Sequence, residues 1–302
     1  MRHDKGLGIA NQILSILKEV SFGVFHFEMG LLFQTSLLLN GILFNTEVLF
    51  SMTEKHISVL EDCDKYLLRS LFNAEMGTPI ESLFIETSTI PLRFVLKGRK
   101  IMYYWTLLRK SENELVKRVF SALQKFSTKN DWYQQVRAEM SDCGINYSDE
   151  EIAKMNKFKF KNIVDKKIKD NAAQYLTSLQ TKHTKSKLLH QSPIIKEYLT
   201  TEKLSTREKQ LLFKLRTMTT PNKTHFKGKY KDDLSCTLCN DPNTEENLKH
   251  LLCCTYLMTD IQLSQEIKEI KYEDIFGNLN EQIRAVKTWS KIFKIYETKN
   301  KK

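Results

Sequence analysis

Residues 5–20 read KGLGIANQILSILKEV and residues 56–71 read HISVLEDCDKYLLRSL. In the first, Ile9, Ile13, Leu14, Ile16, Leu17 and Val20 mark one apolar face, and in the second Ile57, Leu60, Tyr66, Leu67 and Leu71 do the same. Spacings of three and four residues follow the turn of an α-helix, so each stretch predicts a helix with one face in a core. Working outward, the same period recurs along most of the chain. Ser111 with Glu114, Ser148 with Glu151 and Ser205 with Glu208 have the capping-box spacing and predict three helix starts. Only ten Gly and five Pro stand among 302 residues, too few for a many-turned β fold. The expected class is mainly α. Pro79 and Pro91 bracket ESLFIETSTI, a brief helix or an extended piece.

Residues 29–46, MGLLFQTSLLLNGILFNT, carry no charge and approach the length that spans a bilayer. Gln34, Asn40 and Asn45 are costly in hydrocarbon and no basic anchor flanks the run, so the expectation is a buried core helix and no membrane partner.

The chain carries 47 Lys and Arg against 36 Asp and Glu, a net charge of +11 that favours a polyanionic partner. The excess is uneven. Residues 1–100 hold ten basic against eleven acidic groups and the remainder 37 against 25, so the basic character lies in the C-terminal two thirds. No secretory leader pattern opens the sequence, which implies an intracellular setting, nucleus or cytoplasm, and reduced thiols. Cys63 and Cys143 stand alone and read as buried helix residues, whereas Cys236, Cys239, Cys253 and Cys254 crowd together.

That crowding lies in CTLCNDPNTEENLKHLLCC, residues 236–254. Two cysteines separated by two residues form a knuckle whose turn points both sulfurs at one metal ion. Thr244 is read as the cap of a short helix on which His250 and Cys254, four residues apart, share a face. Cys236, Cys239, His250 and Cys254 then complete a tetrahedral zinc site; Cys253 competes for the fourth place, the four-residue spacing favouring Cys254. Four protein ligands leave no open position, which makes the metal structural rather than catalytic. Tyr230 to Asp233 spell YKDD, the form of a polymerase box, yet they sit in a turn beside a metal ligand and read as solvated residues. No phosphate-cradling Gly loop, GxSxG or HExxH occurs, so neither an enzyme nor a small-molecule substrate is expected.

Basic and aromatic residues interleave in three stretches: RFVLKGRKIMYYW, KMNKFKFKNIVDKKIKDN and THFKGKYK. Such stretches suit a phosphate backbone with stackable bases, and the equally open reading is amphipathic helices with aromatics inward and lysines in water. Arg93, Lys97, Arg99 and Lys100, the lysines flanking Gly228, and Lys231 are the candidate nucleic-acid contacts.

The run from Thr78 to Phe120 resembles the region C-terminal to the palm in reverse transcriptases of non-LTR (LINE-type) retrotransposons. Thr78, Pro79, Glu81, Leu83, Glu86, Pro91, Arg93 and Arg99 fit the pattern TPxExLyxExgxxPiRfxixxRrlxyxxxil that recurs there. The opening KGLGIANQILSILKEVSFG is similar to the segment after the primer grip, and LFKLRTMTTPNKTHFKGKY followed by CTLC and HLLCC is similar to the zinc-knuckle entry. The resemblance covers about Lys5 to Cys254. It implies a thumb-like helical region over residues 1–125, a basic helical linker region over 126–218, and the knuckle with C-terminal helices over 219–302. The palm and its catalytic aspartates would lie before Met1, so the resemblance implies nucleic-acid binding, RNA or DNA, without polymerase activity. A protein-interaction adaptor with a purely structural zinc site, or a remnant of the element without function, is the competing expectation.

Overall fold

The computed structural model describes residues 2–20, 22–48, 52–126, 128, 131–183, 185–191, 195–220, 222–226 and 234–300. Its regular structure is helical: α1 Arg2–Glu19, α2 His26–Phe33, α3 Leu39–Leu43, α4 Glu54–Phe72, α5 Ile80–Thr87, α6 Leu92–Leu108, α7 Leu115–Lys125 and α8 Trp132–Asp142. These are followed by α9 Asp149–Lys154, α10 Lys157–Gln180, α11 Glu197–Thr200, α12 Thr206–Arg216, α13 Leu248–Leu251, α14 Ile261–Lys268 and α15 Leu279–Asn300. Among the described residues the one β feature is an isolated antiparallel bridge between Ser235 and Glu245. The mainly α expectation holds.

The capping boxes of Ser148 and Ser205 open α9 and α12 with both reciprocal hydrogen bonds in place. At Ser111 the helix starts later. Glu114 occupies the cap of α7 and its side chain accepts from the Ser111 N–H at 3.2 Å, closing a turn ahead of the helix. The bracketed segment after Pro79 resolves as α5, fully buried from Glu81 to Thr87 and stopped by Ser88 in the left-handed region at φ 55°.

The uncharged run forms α2, a π-helical segment Gln34–Leu38, and α3. Phe27, Gln34, Leu38, Leu39, Ile42 and Leu43 are buried, but Leu32 and Phe44 are 54% and 67% exposed, so one face of it meets water rather than the whole run lying in a core. No helix among the described residues is long and apolar enough to cross a membrane.

Two compact units divide the chain: Met1–Ile16, Leu31–Leu67 and Thr89–Lys182 make the first, and Leu17–Gly30, Leu68–Ser88 and His183–Lys302 the second. This is not the division into three consecutive segments, because α1, α2 and α4 each contribute residues to both units. In the first unit α6 packs along α10 and against α7, α8 and α9, around Ile101, Tyr104, Phe120, Trp132, Val136 and Phe160. Gly6 matters for this unit's packing, since a Cβ there would fall 2.7 Å from Cys63 Sγ. On α7, Leu115 and Val119 are 73% and 53% exposed and, with Val48, Tyr103 and Trp132, border an apolar groove of about 290 Å³.

The second unit joins chain segments from both sides of residue 219. Phe72 stacks on Phe213 with ring centroids 3.9 Å apart, Phe27 lies 5.0 Å from Phe72, and α15 packs on α11, α12 and α14 through Ala285, Trp289, Ile292 and Phe293. Glu86 of α5 accepts two hydrogen bonds from Arg216 of α12, at 3.1 and 3.0 Å, and Arg216 also donates to the Ile275 carbonyl at 2.7 Å. Glu86 and Arg216 are both buried, so the charge of each is balanced by the other.

Candidate metal centre

The knuckle starts as a turn. The N–H of Asn240 donates to the Cys236 carbonyl at 2.8 Å, and Asn240 takes φ 55°, a conformation that Asn tolerates better than most residues. This folds Cys236 and Cys239 toward each other. Asn247, not Thr244, caps the short helix that follows: its side chain accepts from His250 N–H at 2.9 Å. The Thr244 hydroxyl turns back and donates to the Asp241 carbonyl instead. The helix ends at Leu251, so Cys254 reaches the site from the turn beyond it rather than from a helical face shared with His250.

The four ligand atoms of Cys236, Cys239, His250 and Cys254 lie within 4.8 Å of one another. Cys236 Sγ is 3.9 Å from Cys254 Sγ, and Cys239 Sγ is 3.5 Å from His250 Nε2. A tetrahedron with ordinary zinc bond lengths has sulfur-sulfur edges of about 3.8 Å and sulfur-nitrogen edges of about 3.6 Å. These two edges therefore fit a four-coordinate ion. Cys253 points elsewhere: it is exposed and its thiol donates to the Lys249 carbonyl at 3.7 Å. Elsewhere in the chain Cys63 and Cys143 are buried, as their solitary positions suggested.

Backbone N–H groups are aimed at the sulfurs. Leu238 and Cys239 donate toward Cys236, Tyr256 and Leu257 toward Cys254, and Asp241 toward Cys239. Burial pushes the Cys236 and Cys254 thiols up, these donors opposing it; at Cys239 burial is again the largest single effect and raises the thiol, but its several hydrogen bonds together outweigh it and the thiol is lowered. A cation binding here must displace protons from the thiols.

A second tier fixes the knuckle and was not legible in the sequence. Glu246 is completely buried; Oε1 accepts from the Lys223 N–H at 2.8 Å and the Tyr296 hydroxyl at 2.6 Å, and Oε2 from the Thr237 N–H at 2.8 Å. Lys299 donates to the Leu238 carbonyl, inside the Cys236–Cys239 turn, with its ammonium 4.1 Å from the ring centroid of Tyr256. The end of α15 is thus pinned to the knuckle by two side chains.

The candidate nucleic-acid residues fare differently. Arg93 pairs with Glu61 at 2.8 and 3.0 Å and with Glu54 at 3.2 Å; Lys100 is buried against Glu139 at 2.9 Å; Arg99 donates to the Leu43 carbonyl at 3.5 Å and to Asn40. These three cations hold helices of their own unit together. Lys97, half-buried with its ammonium 5.8 Å from the Phe94 ring centroid, makes neither an ion pair nor a side-chain hydrogen bond among the described residues. Gly228 with its flanking lysines, Lys231, and the YKDD carboxylates lie outside the described residues.

Fold and site together define a mainly α protein with a Cys3His group able to hold one metal ion. No protein-family model, curated protein or solved structure matches the chain.

Proposed function

We propose that this protein binds nucleic acid, with zinc in the Cys236, Cys239, His250 and Cys254 site holding a basic helix in place. One observation carries the reading. Arg284, Lys287, Lys291 and Lys294 are exposed on α15 at intervals of three, four and three residues, opposite the buried face of Ala285, Val286, Trp289, Ile292, Phe293 and Tyr296. Lys291 pairs with Glu266 at 2.5 Å and Arg284 lies 3.8 Å from Asp274, whereas Lys287 and Lys294 make no ion pair among the described residues. A single-sign ladder along one helix suits a phosphate backbone. The helix carrying it is pinned to the knuckle by Tyr296 and Lys299, which links the metal to the basic face. The resemblance to the post-palm region of LINE-type reverse transcriptases points to the same class of partner.

The test is fluorescence anisotropy of the zinc-loaded chain against a structured RNA and a DNA duplex, at roughly 50 and 200 mM salt. Binding should weaken steeply with salt, and Lys287→Ala with Lys294→Ala should reduce the log–log salt slope by about 2. Absence of binding, or binding indifferent to salt, contradicts the reading. Salt-indifferent capture of a protein would favour the adaptor instead, for which the apolar groove along α7 is the supporting feature.

A further inference from the structure

The second interleaved stretch reads KFKFK at the start of α10. Asn156 caps the helix by accepting from the Lys159 N–H at 2.8 Å, and Phe160, Val164, Ile168 and Ala172 turn inward at four-residue intervals. This register sends Phe158 out. Its ring is 75% exposed and makes no ring contact among the described residues, while Lys157, Lys159 and Lys161 around it are exposed and without ion pairs there. The same outward face continues through Asn162, Asp165, Lys166 and Lys169, and α10 as a whole holds six lysines against two aspartates. Leaving a phenyl ring in water gives up the gain of burying it, and nothing in the packing of α10 requires a ring at this position. Among the described residues this stretch presents an aromatic residue and its neighbouring cations to solvent together.

We propose that this face of α10 holds unpaired nucleic acid, with a base stacked on Phe158 and phosphates against Lys157, Lys159 and Lys161. The inference rests on the nucleic-acid reading but uses a different helix from the α15 ladder. A ring stacks only on a base whose face is free, which paired bases inside a duplex do not offer, so the surface selects single strands or loops. Stacking of this kind tolerates every base and either sugar, because each base has a π face.

The experiment is anisotropy of the full zinc-loaded chain against labelled oligo(U), oligo(dT) and a DNA duplex, comparing wild type with Phe158→Leu and Phe158→Tyr. Leu keeps an apolar side chain and removes the aromatic face; Tyr restores it. Because Phe158 is exposed, the thermal midpoint of both variants should match wild type. The expected result is about tenfold weaker binding of Phe158→Leu to the RNA or the DNA strand, duplex binding unchanged, and Phe158→Tyr near wild type. Equal single-strand binding by Phe158→Leu and wild type, or equal loss on strand and duplex, overturns the α10 proposal and leaves the α15 reading standing. A wild-type chain that binds none of the three removes both.

Discussion

The Tyr296 hydroxyl donates to Oε1 of Glu246 at 2.6 Å, joining the last turns of α15 to the loop that enters the metal-binding helix. Glu246 is buried and also receives two backbone N–H groups, so its carboxyl organises the knuckle from within. Tyr296→Phe removes one hydrogen bond from a buried carboxyl and should cost about 1–3 kcal/mol. For the chain loaded with zinc, the expected outcome is a lower denaturation midpoint and faster loss of zinc to a chromophoric chelator. Zinc loss at the wild-type rate would show that α15 does not brace the site.

Asp64 supplies a pH test. It is fully buried, with Oδ1 accepting from Gln34 Nε2 at 2.5 Å, while Oδ2 and Gln34 Oε1 have no hydrogen-bond partner among the described residues. Burial pushes this carboxyl from 3.8 up to about 7, the Gln34 hydrogen bond opposing and Glu61 adding to the rise. The folded chain therefore keeps the proton where an unfolded chain has lost it. The stabilisation is fully present below pH 3.8 and is lost as pH rises to about 7. Asp64→Asn cannot lose a proton. Its urea midpoint should match wild type near pH 4 and exceed it at pH 8 by the equivalent of a few kcal/mol. A difference independent of pH would refute the assignment.

Breaking the Glu86–Arg216 pair tests the second unit. Glu86→Gln leaves the Arg216 guanidinium buried without its carboxylate, a loss of about 3–5 kcal/mol. Replacing both residues with apolar ones of similar volume should restore much of that loss, and a thermal-melt double-mutant cycle measures it. Additive losses would mean that the two residues act separately.

The helical class and the metal ligands were legible because both rest on local spacing. Period 3.6 predicts helices wherever the partner lies, and a knuckle is written within a few residues, so Cys236, Cys239 and His250 needed no tertiary knowledge. Cys254 was chosen over Cys253 through a helix that ends before either cysteine; the turn after Leu251, not a shared helical face, turns one thiol in and the other out. Arg93, Arg99 and Lys100 looked like a basic patch because their partners, Glu61, Asn40, the Leu43 carbonyl and Glu139, are distant in sequence. For the same reason Glu246 and Tyr296, fifty residues apart, went unread. Thr219 looked like the edge of a separate domain, yet it is buried and α15 packs back on α12. Ligand variants of the knuckle should therefore disturb the second unit beyond residues 236–254.

That coupling has its own check. Cys236→Ser or His250→Ala should lower protection from amide hydrogen exchange in α15 as well as in the knuckle, while α6 and α10 of the first unit keep theirs. Protection lost only between residues 236 and 254 would show that the knuckle stands alone.

Titration of the reduced, metal-free chain with cobalt, followed in the visible spectrum, tests the metal centre most directly. The structure calls for one cobalt per chain, intense tetrahedral ligand-field bands with thiolate charge transfer, and displacement by zinc. Cys253→Ala should leave that spectrum intact, whereas Cys254→Ala, with one thiolate fewer, should weaken the thiolate charge transfer and shift the ligand-field bands. A weak octahedral spectrum, or the same tetrahedral spectrum from Cys254→Ala, would contradict the site.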